Sequence, residues 1–257
     1  MNRERLSLKP TEQSLDAIAE VAELLRPDQE DLCSWHDSYV SHHSQRIALD
    51  LDIVKTYVTS SNASVLAFGS LPLLFTAGMA NSGLEVTGCD IAPERYASAI
   101  EKANLDVVKC NIEHETLPFA DNAFDGIVFN ELFEHLRINP IFTLSEVLRV
   151  IKPGAPVMIS TPNLRSVEGI RNFLFHNRAY SCSADVYDEY AKLEKLGHMG
   201  HVREYTTKEV TSFLTKVGFK VTHMLFRGDV DSSWGNWLIN YKKSLSPFVS
   251  YVAIKPN

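Results

Sequence analysis

The chain has 257 residues, of which 45% are hydrophobic and 22% charged, the balance of a globular α/β domain rather than a disordered or fibrous chain. A formal net charge of -7 argues against a nucleic-acid partner, because duplex binding needs a basic face. Cys33, Cys89, Cys110 and Cys182 form no CxxC pair and no zinc-ligand spacing, and the first residues lack the apolar core of a signal peptide. A reduced, cytoplasmic protein without membrane insertion is therefore expected. The uncharged run from Thr56 to Leu84 is broken by Asn62, Gly69, Pro72, Gly78 and Asn81, so it reads as strand, loop and helix rather than as a span.

In chain order, Leu15, Ile18 and Val21 share one face of a helix that Pro27 ends. Ile47, Leu51, Val54 and Val58 give a second amphipathic helix within Trp35–Ser60. Residues 1–60 are read as an N-terminal helical cap and 61–257 as the main domain. Within the latter, Ser64–Phe68 is a strand and Pro72–Asn81 a helix with proline in its first turn. Strand Leu84–Cys89, helix Pro93–Ala103 and strands Leu105–Cys110 and Gly126–Phe129 follow. Helix Pro140–Ile151 is closed by Lys152-Pro153-Gly154 and leads to strand Pro156–Ser160. Residues 164–204 break the rhythm with aromatics and histidines and read as a lid inserted after the fifth strand. Thr206 and Glu209 form a capping box for helix Thr207–Lys216, which Gly218 closes. Phe219–Phe226 and Phe248–Ile254 complete the strands. Such alternation predicts a doubly wound, Rossmann-like sheet with parallel crossovers, covered on both faces.

In open α/β sheets, ligands bind beyond the carboxyl ends of the strands. The candidates therefore stand just after each strand. Phe68-Gly69-Ser70 follows the first, where glycine allows either close backbone approach to a ligand or an ordinary strand-to-helix turn. Asp90, with Ile91, follows the second; its carboxylate suits two ribose hydroxyls, or else the N-cap of the next helix. Asn111 and Ile112 follow the third, Asn130 and Glu131 the fourth. His135 suits a general base for a hydroxyl, or else orients its loop. Arg46, on the helix before the first strand, is either a binding residue or part of a solvated face. His42-His43 and His198-x-x-His201 lack a third ligand, so no metal is expected.

LPFADNAFDGIVFNELFEHL (117–136), LRVIKPGAPVMISTPN (148–163) and HVREYTTKEVTSFLTKVGFKV (201–221), together with Gly69 and Asp90, resemble the class I S-adenosylmethionine (SAM) dependent methyltransferases. The closest look is to their ubiquinone-biosynthesis-like, type 11 group, and HVREYT is similar to sugar and surface-glycan members. The resemblance covers Ser64 to Phe226. It implies seven strands with an antiparallel last strand, SAM as cofactor and S-adenosylhomocysteine as product. It further implies that Asp90 binds ribose, that Asn111 and Ile112 hold adenine, that Asn130 or Glu131 meets the methionine amino group and that Arg46 meets its carboxylate. The chain departs from the family pattern at Ala67, Leu71 and Leu73, where an acid and further glycines are usual. The expected function is methyl transfer to a small-molecule or glycan acceptor, at oxygen, with His135 or His201 taking the proton. The alternative is a methyltransferase-fold binding or scaffold protein without activity. A homodimer is compatible with either.

Overall fold

The computed structural model describes residues 9–60, 62–181, 187–188, 190–191 and 200–257. Two helices lead, α1 (Glu12–Ala22) and α2 (Glu30–Tyr57). Thr11 caps α1 through its hydroxyl, and Asp52 of α2 accepts from both the Thr11 amide (2.7 Å) and hydroxyl (2.8 Å). One carboxylate thus pins the two helices together at the start of the described chain.

The alternating part then runs β1 (Ser64–Phe68), α3 (Leu74–Asn81), β2 (Glu85–Asp90), a 3-10 helix (Pro93–Tyr96) continuing into α4 (Ala97–Lys102), and β3 (Asp106–Lys109). It continues through β4 (Gly126–Asn130), a second 3-10 helix (Phe133–His135), α5 (Pro140–Val150), β5 (Pro156–Pro162) and α6 (Val167–Phe175). The last elements are α7 (Thr207–Val217), β6 (Lys220–Arg227), α8 (Ser233–Tyr241) and β7 (Phe248–Ile254).

The strands form one seven-stranded sheet in the order β3-β2-β1-β4-β5-β7-β6. β1 to β5 pair in parallel, and β7 lies antiparallel between β5 and β6. The expected mostly parallel sheet with an antiparallel last strand is therefore present. Strand order reverses between β1 and β4, which opens a crevice beyond their carboxyl ends.

Alternation along the strands builds two cores. Val65, Ala67, Val128, Met158 and Val252 join the apolar faces of α1, α2 and α3. Their neighbours Leu66, Phe68, Ile127, Phe129, Val157 and Ile159 join Leu144 and Val147 of α5 and Val210 and Leu214 of α7. The N-terminal helices thus share a core with β1 and α3.

The stretches that carry the family resemblance hold one another. Arg149 donates to the carbonyls of Leu117 (3.0 Å) and Phe119 (2.7 Å) and pairs with Asp121 and Glu146. Lys152 pairs with Asp125 (2.7 Å), whose other oxygen accepts from the amide of Ser64 at the start of β1. These motif residues fix the turn before β4 and do no chemistry in the crevice.

Several boundaries differ from the sequence-based expectation. Pro72 is not in the first turn of α3: Leu73 has φ +73°, outside the helical region, so the helix starts at Leu74. The expected helix Pro93–Ala103 is split at Tyr96, a fully buried side chain with φ -128°. Its second half is capped by Asp28, which accepts from Ser98 N (3.0 Å) and not by Asp90. Residues 164–204 contain the helix α6, and α8 was not foreseen. No helix among the described residues is long and apolar enough to cross a membrane.

Candidate active site

A cavity of about 620 Å³ fills the crevice, within the range of small-molecule sites. Its lining includes Arg46, Phe68, Gly69, Ser70, Asp90, Ile91, Asn111, Ile112, Asn130, Glu131, His135 and His201. The tertiary structure therefore gathers all of the expected site residues around one space.

The end formed by β1, β2 and β3 is held by side chains tied to backbone. The Gly69 and Ser70 amides donate to the carbonyl of Cys89, so the first loop is a turn closed on β2. Gly69 has φ +60°, which favours glycine, and a Cβ there would press on the Leu132 side chain at 3.2 Å. Ser70 is buried, and its hydroxyl has no hydrogen-bond partner among the described residues. A buried orphan on a cavity wall is a donor and acceptor available to a ligand.

Asp90 ends β2. It accepts from the amides of Leu71 (3.1 Å) and Ala92 (3.0 Å), one on each oxygen. Burial pushes its carboxyl up, and those two N–H groups oppose the rise. Each oxygen keeps a second lone pair for a hydroxyl donor. Asn111 accepts from Glu113 N (3.2 Å). Glu113, unmarked in the sequence, is buried and accepts from the amides of Arg137 and Ile138 (2.7 Å), which fixes the loop after His135.

The opposite end is built from charges tied to charges. Glu131 has φ +48°, and its Oε1 receives Ser160 Oγ (2.7 Å) and Arg227 Nη2 (3.1 Å), with Arg46 at 3.6 Å. Arg227 is buried and also pairs with Asp50 (3.3 Å), and Arg46 reaches Asp50 at 4.0 Å. Two guanidiniums and two carboxylates thus balance in a water-poor setting. Burial opposes charge on Glu131, but Arg46 and then Arg227 outweigh it and hold the carboxyl below its ordinary value. Arg46 is consequently no solvated surface residue. Asp50 and Arg227 were missed; the available signals were an aspartate inside the apolar run IALDLDIV and an arginine closing an apolar strand.

α2 roofs this end. Leu32, Trp35, Tyr39, His43, Arg46, Ile47 and Asp50 line the cavity at helical spacing, one stripe of one helix. Burial, then the charge of Arg46, pushes the His43 imidazole down to about 4, so it is neutral near pH 7.

The histidines meet at the cavity wall. His135 and His201 rings lie 5.0 Å apart, edge to face. The Val202 and Arg203 amides donate to the Glu134 carbonyl, which anchors residues 200–203 to the second 3-10 helix. Glu134 itself is fully buried, and neither carboxylate oxygen has a hydrogen-bond partner among the described residues. The expectation of no metal rested on the lack of a third ligand. The fold supplies one: ligand atoms of Glu134, His135 and His201 lie within 4.8 Å of one another. His198 lies outside the described residues, and exposed His42 bonds within its own helix, to the Ser38 carbonyl (2.7 Å).

Of the segment read as a lid, His201 reaches the cavity. Among the described residues of that segment, Phe173, Phe175, Tyr187 and Tyr190 are exposed, while Arg171 pairs with Glu168 and Arg203 with Glu209.

A model described as a methyltransferase domain matches residues 66–159. The ubiquinone biosynthesis O-methyltransferase of Dechloromonas aromatica is 30% identical over 122 residues, covering 45% of this chain and 51% of that protein. This chain spans about half the length of the curated relatives it matches. A SAM-dependent methyltransferase of Thermotoga maritima, named as a possible histamine N-methyltransferase, superposes with a TM-score of 0.57 at 18% identity, over 91% of this chain and 99% of that one. The cyclase SpnF superposes with a TM-score of 0.53 at 17% identity, over 82% and 83%. With the sheet order, these matches give the chain the class I SAM-dependent methyltransferase fold.

Proposed function

We propose that this chain binds SAM in the crevice and transfers its methyl group to an oxygen of a small-molecule or glycan acceptor. The observation that carries the reading is the cavity at the strand-order switch, with Asp90 at one end and a histidine pair at the other. SAM would supply an electrophilic methyl on a sulfonium. Asp90 offers spare lone pairs to the ribose, with Ser70 Oγ beside it. Ile91 and Ile112 offer apolar surface for adenine, and Asn111 keeps a lone pair for its amino group. The acid missing at Ala67 has a substitute in Glu131, an ionised carboxylate for the methionine amino group. Arg46 is the cation for its carboxylate, at reduced strength because Glu131 and Asp50 share it.

For the acceptor, His135 Nδ1 lies 3.1 Å from the Gly200 carbonyl. A carbonyl only accepts, so Nδ1 carries the hydrogen and the neutral ring keeps a lone pair on Nε2. His135 and His201 would take the hydroxyl proton. Most of the rate gain would come from positioning. The name of the Dechloromonas relative favours oxygen and a ubiquinone-like acceptor class; HVREYT favours a glycan.

A second reading, a binding or scaffold protein without methyl transfer, is favoured by Ala67, Leu71 and Leu73, and by a cyclase on the same fold. Calorimetry with SAM and S-adenosylhomocysteine separates the two. Micromolar binding that weakens at least ~30-fold in Asp90→Ala supports the cofactor site, since losing a charged hydrogen-bond acceptor costs about 2 kcal/mol or more. No binding at millimolar ligand would overturn it. His135→Ala should then lower turnover while sparing S-adenosylhomocysteine binding.

A further inference from the structure

We propose that Glu134, His135 and His201 form a binding site for a divalent transition-metal ion at the acceptor end of the cavity. The donor set is two imidazole nitrogens and one carboxylate oxygen, drawn from the 3-10 helix after β4 and from the segment before α7. Two imidazoles and a carboxylate suit zinc, manganese or iron(II), and leave coordination positions open.

Three observations support it. First, the site has an unexplained buried carboxyl group. Glu134 is fully buried with both oxygens unpartnered among the described residues, and such a group is costly to bury unless something compensates it. The nearest cation-forming group is His201, whose Nε2 is 3.9 Å from Glu134 Oε1, too far for a hydrogen bond. Second, both imidazoles are oriented from behind. His201 Nδ1 faces Glu204 Oε1 at 3.3 Å, which leaves Nε2 on the Glu134 side. Glu204 is itself buried and held by the Ser181 amide (2.6 Å) and hydroxyl. His135 Nδ1 is turned to the Gly200 carbonyl. A ligating histidine characteristically has its other ring nitrogen bound to a carboxylate or a backbone carbonyl. Third, the spacing is close to that of a site. Ligands about 2.1 Å from a tetrahedral ion stand roughly 3.4 Å apart, so donors within 4.8 Å need only a side-chain contraction.

The consequence rests on the methyl-transfer reading. His135 and His201 line the cavity, so open positions on the ion would face an acceptor. The substrate class narrows to acceptors that offer oxygen to a metal, such as a phenol or a sugar with neighbouring hydroxyls. With the ion bound, the two imidazoles would act as its ligands in place of the base role they have in the metal-free site, and a hydroxyl bound to the ion would be acidified by it and lose its proton to solvent.

The test is titration of metal-stripped, full-length protein with zinc chloride and, separately, manganese chloride, by calorimetry. The expected result is one equivalent bound at micromolar affinity. Glu134→Gln and His201→Ala should each weaken binding by ~30-fold or more, Glu204→Gln by about 10-fold, and exposed His42→Ala not at all. His201→Ala keeps the test sound if Glu134→Gln fails to fold, because His201 is only partly buried. No uptake by the wild type at millimolar metal, or equal uptake by wild type and both ligand variants, overturns the site. S-adenosylhomocysteine is titrated into the same samples. Its binding without metal binding removes the metal site alone, and metal binding without it removes the SAM reading alone.

Discussion

At the β1–β3 end of the cavity, Asp90, Asn111 and Glu113 each grip backbone amides of a nearby loop. At the β4–β5 end, Arg46, Asp50, Glu131 and Arg227 grip one another. These clamps accept from main-chain N–H groups, which any residue but proline supplies, so Ala67, Leu71 and Leu73 are accommodated while Leu71 still donates to Asp90. A buried charge network behaves otherwise, since each member is costly without its partners. The β1–β3 end should therefore tolerate substitution better than the β4–β5 end.

The largest effect should come from removing the hub of the charged end. Arg227→Ala leaves Asp50 and Glu131 to share the more distant Arg46, and should cost about 3 kcal/mol in urea unfolding. A loss under about 1 kcal/mol would mean water enters the network, as at a surface pair. At the other end, Asp90→Ala should weaken S-adenosylhomocysteine by ~30-fold with a smaller effect on stability, because it also frees the Leu71 and Ala92 amides. An equal loss of stability at both ends would erase the contrast.

A pH series sharpens the comparison. His43 is neutral in the fold, its imidazole pushed down to about 4 from an ordinary 6.5 by burial and Arg46. A depressed histidine contributes stability fully above pH 6.5. That contribution is lost as pH falls from 6.5 toward 4, because the unfolded state takes the proton first. His43 is only partly buried, so solvent screening reduces the expected loss to on the order of 1–2 kcal/mol. His43→Gln should flatten the urea midpoint across that interval; an unchanged slope would reassign it to carboxylates. The smallest effect is a control outside both ends. Thr206→Ala breaks the capping box of α7, in which Thr206 and Glu209 exchange bonds, and should cost about 1 kcal/mol without altering ligand binding.

Legibility in the sequence follows the same division. Capping boxes, prolines and apolar alternation are local, and α7 and the parallel strands were readable from them, as were the strand-end positions Gly69, Asp90, Asn111 and Glu131. Helix α3 began later than expected because Leu73 adopts positive φ, which no propensity foretells. α6 and α8 escaped notice because α6 shows Phe173, Leu174 and Phe175, and α8 Trp234 and Trp237, to solvent, which blurs the polar face a helix usually displays.

The sequence by itself determined the class of fold and the strand-end residues that line the crevice. Both depend on periodicity and on residues a few places apart. Only the tertiary structure decided what the charged residues do. Arg46 and Arg227 stand on opposite sides of the chain's length, yet both converge on Glu131. Glu134 carries no signal in the sequence, and the fold buries it with its carboxylate near His135 and His201. Buried charge is a property of neighbours brought together across the chain, and no local pattern encodes which neighbours those will be.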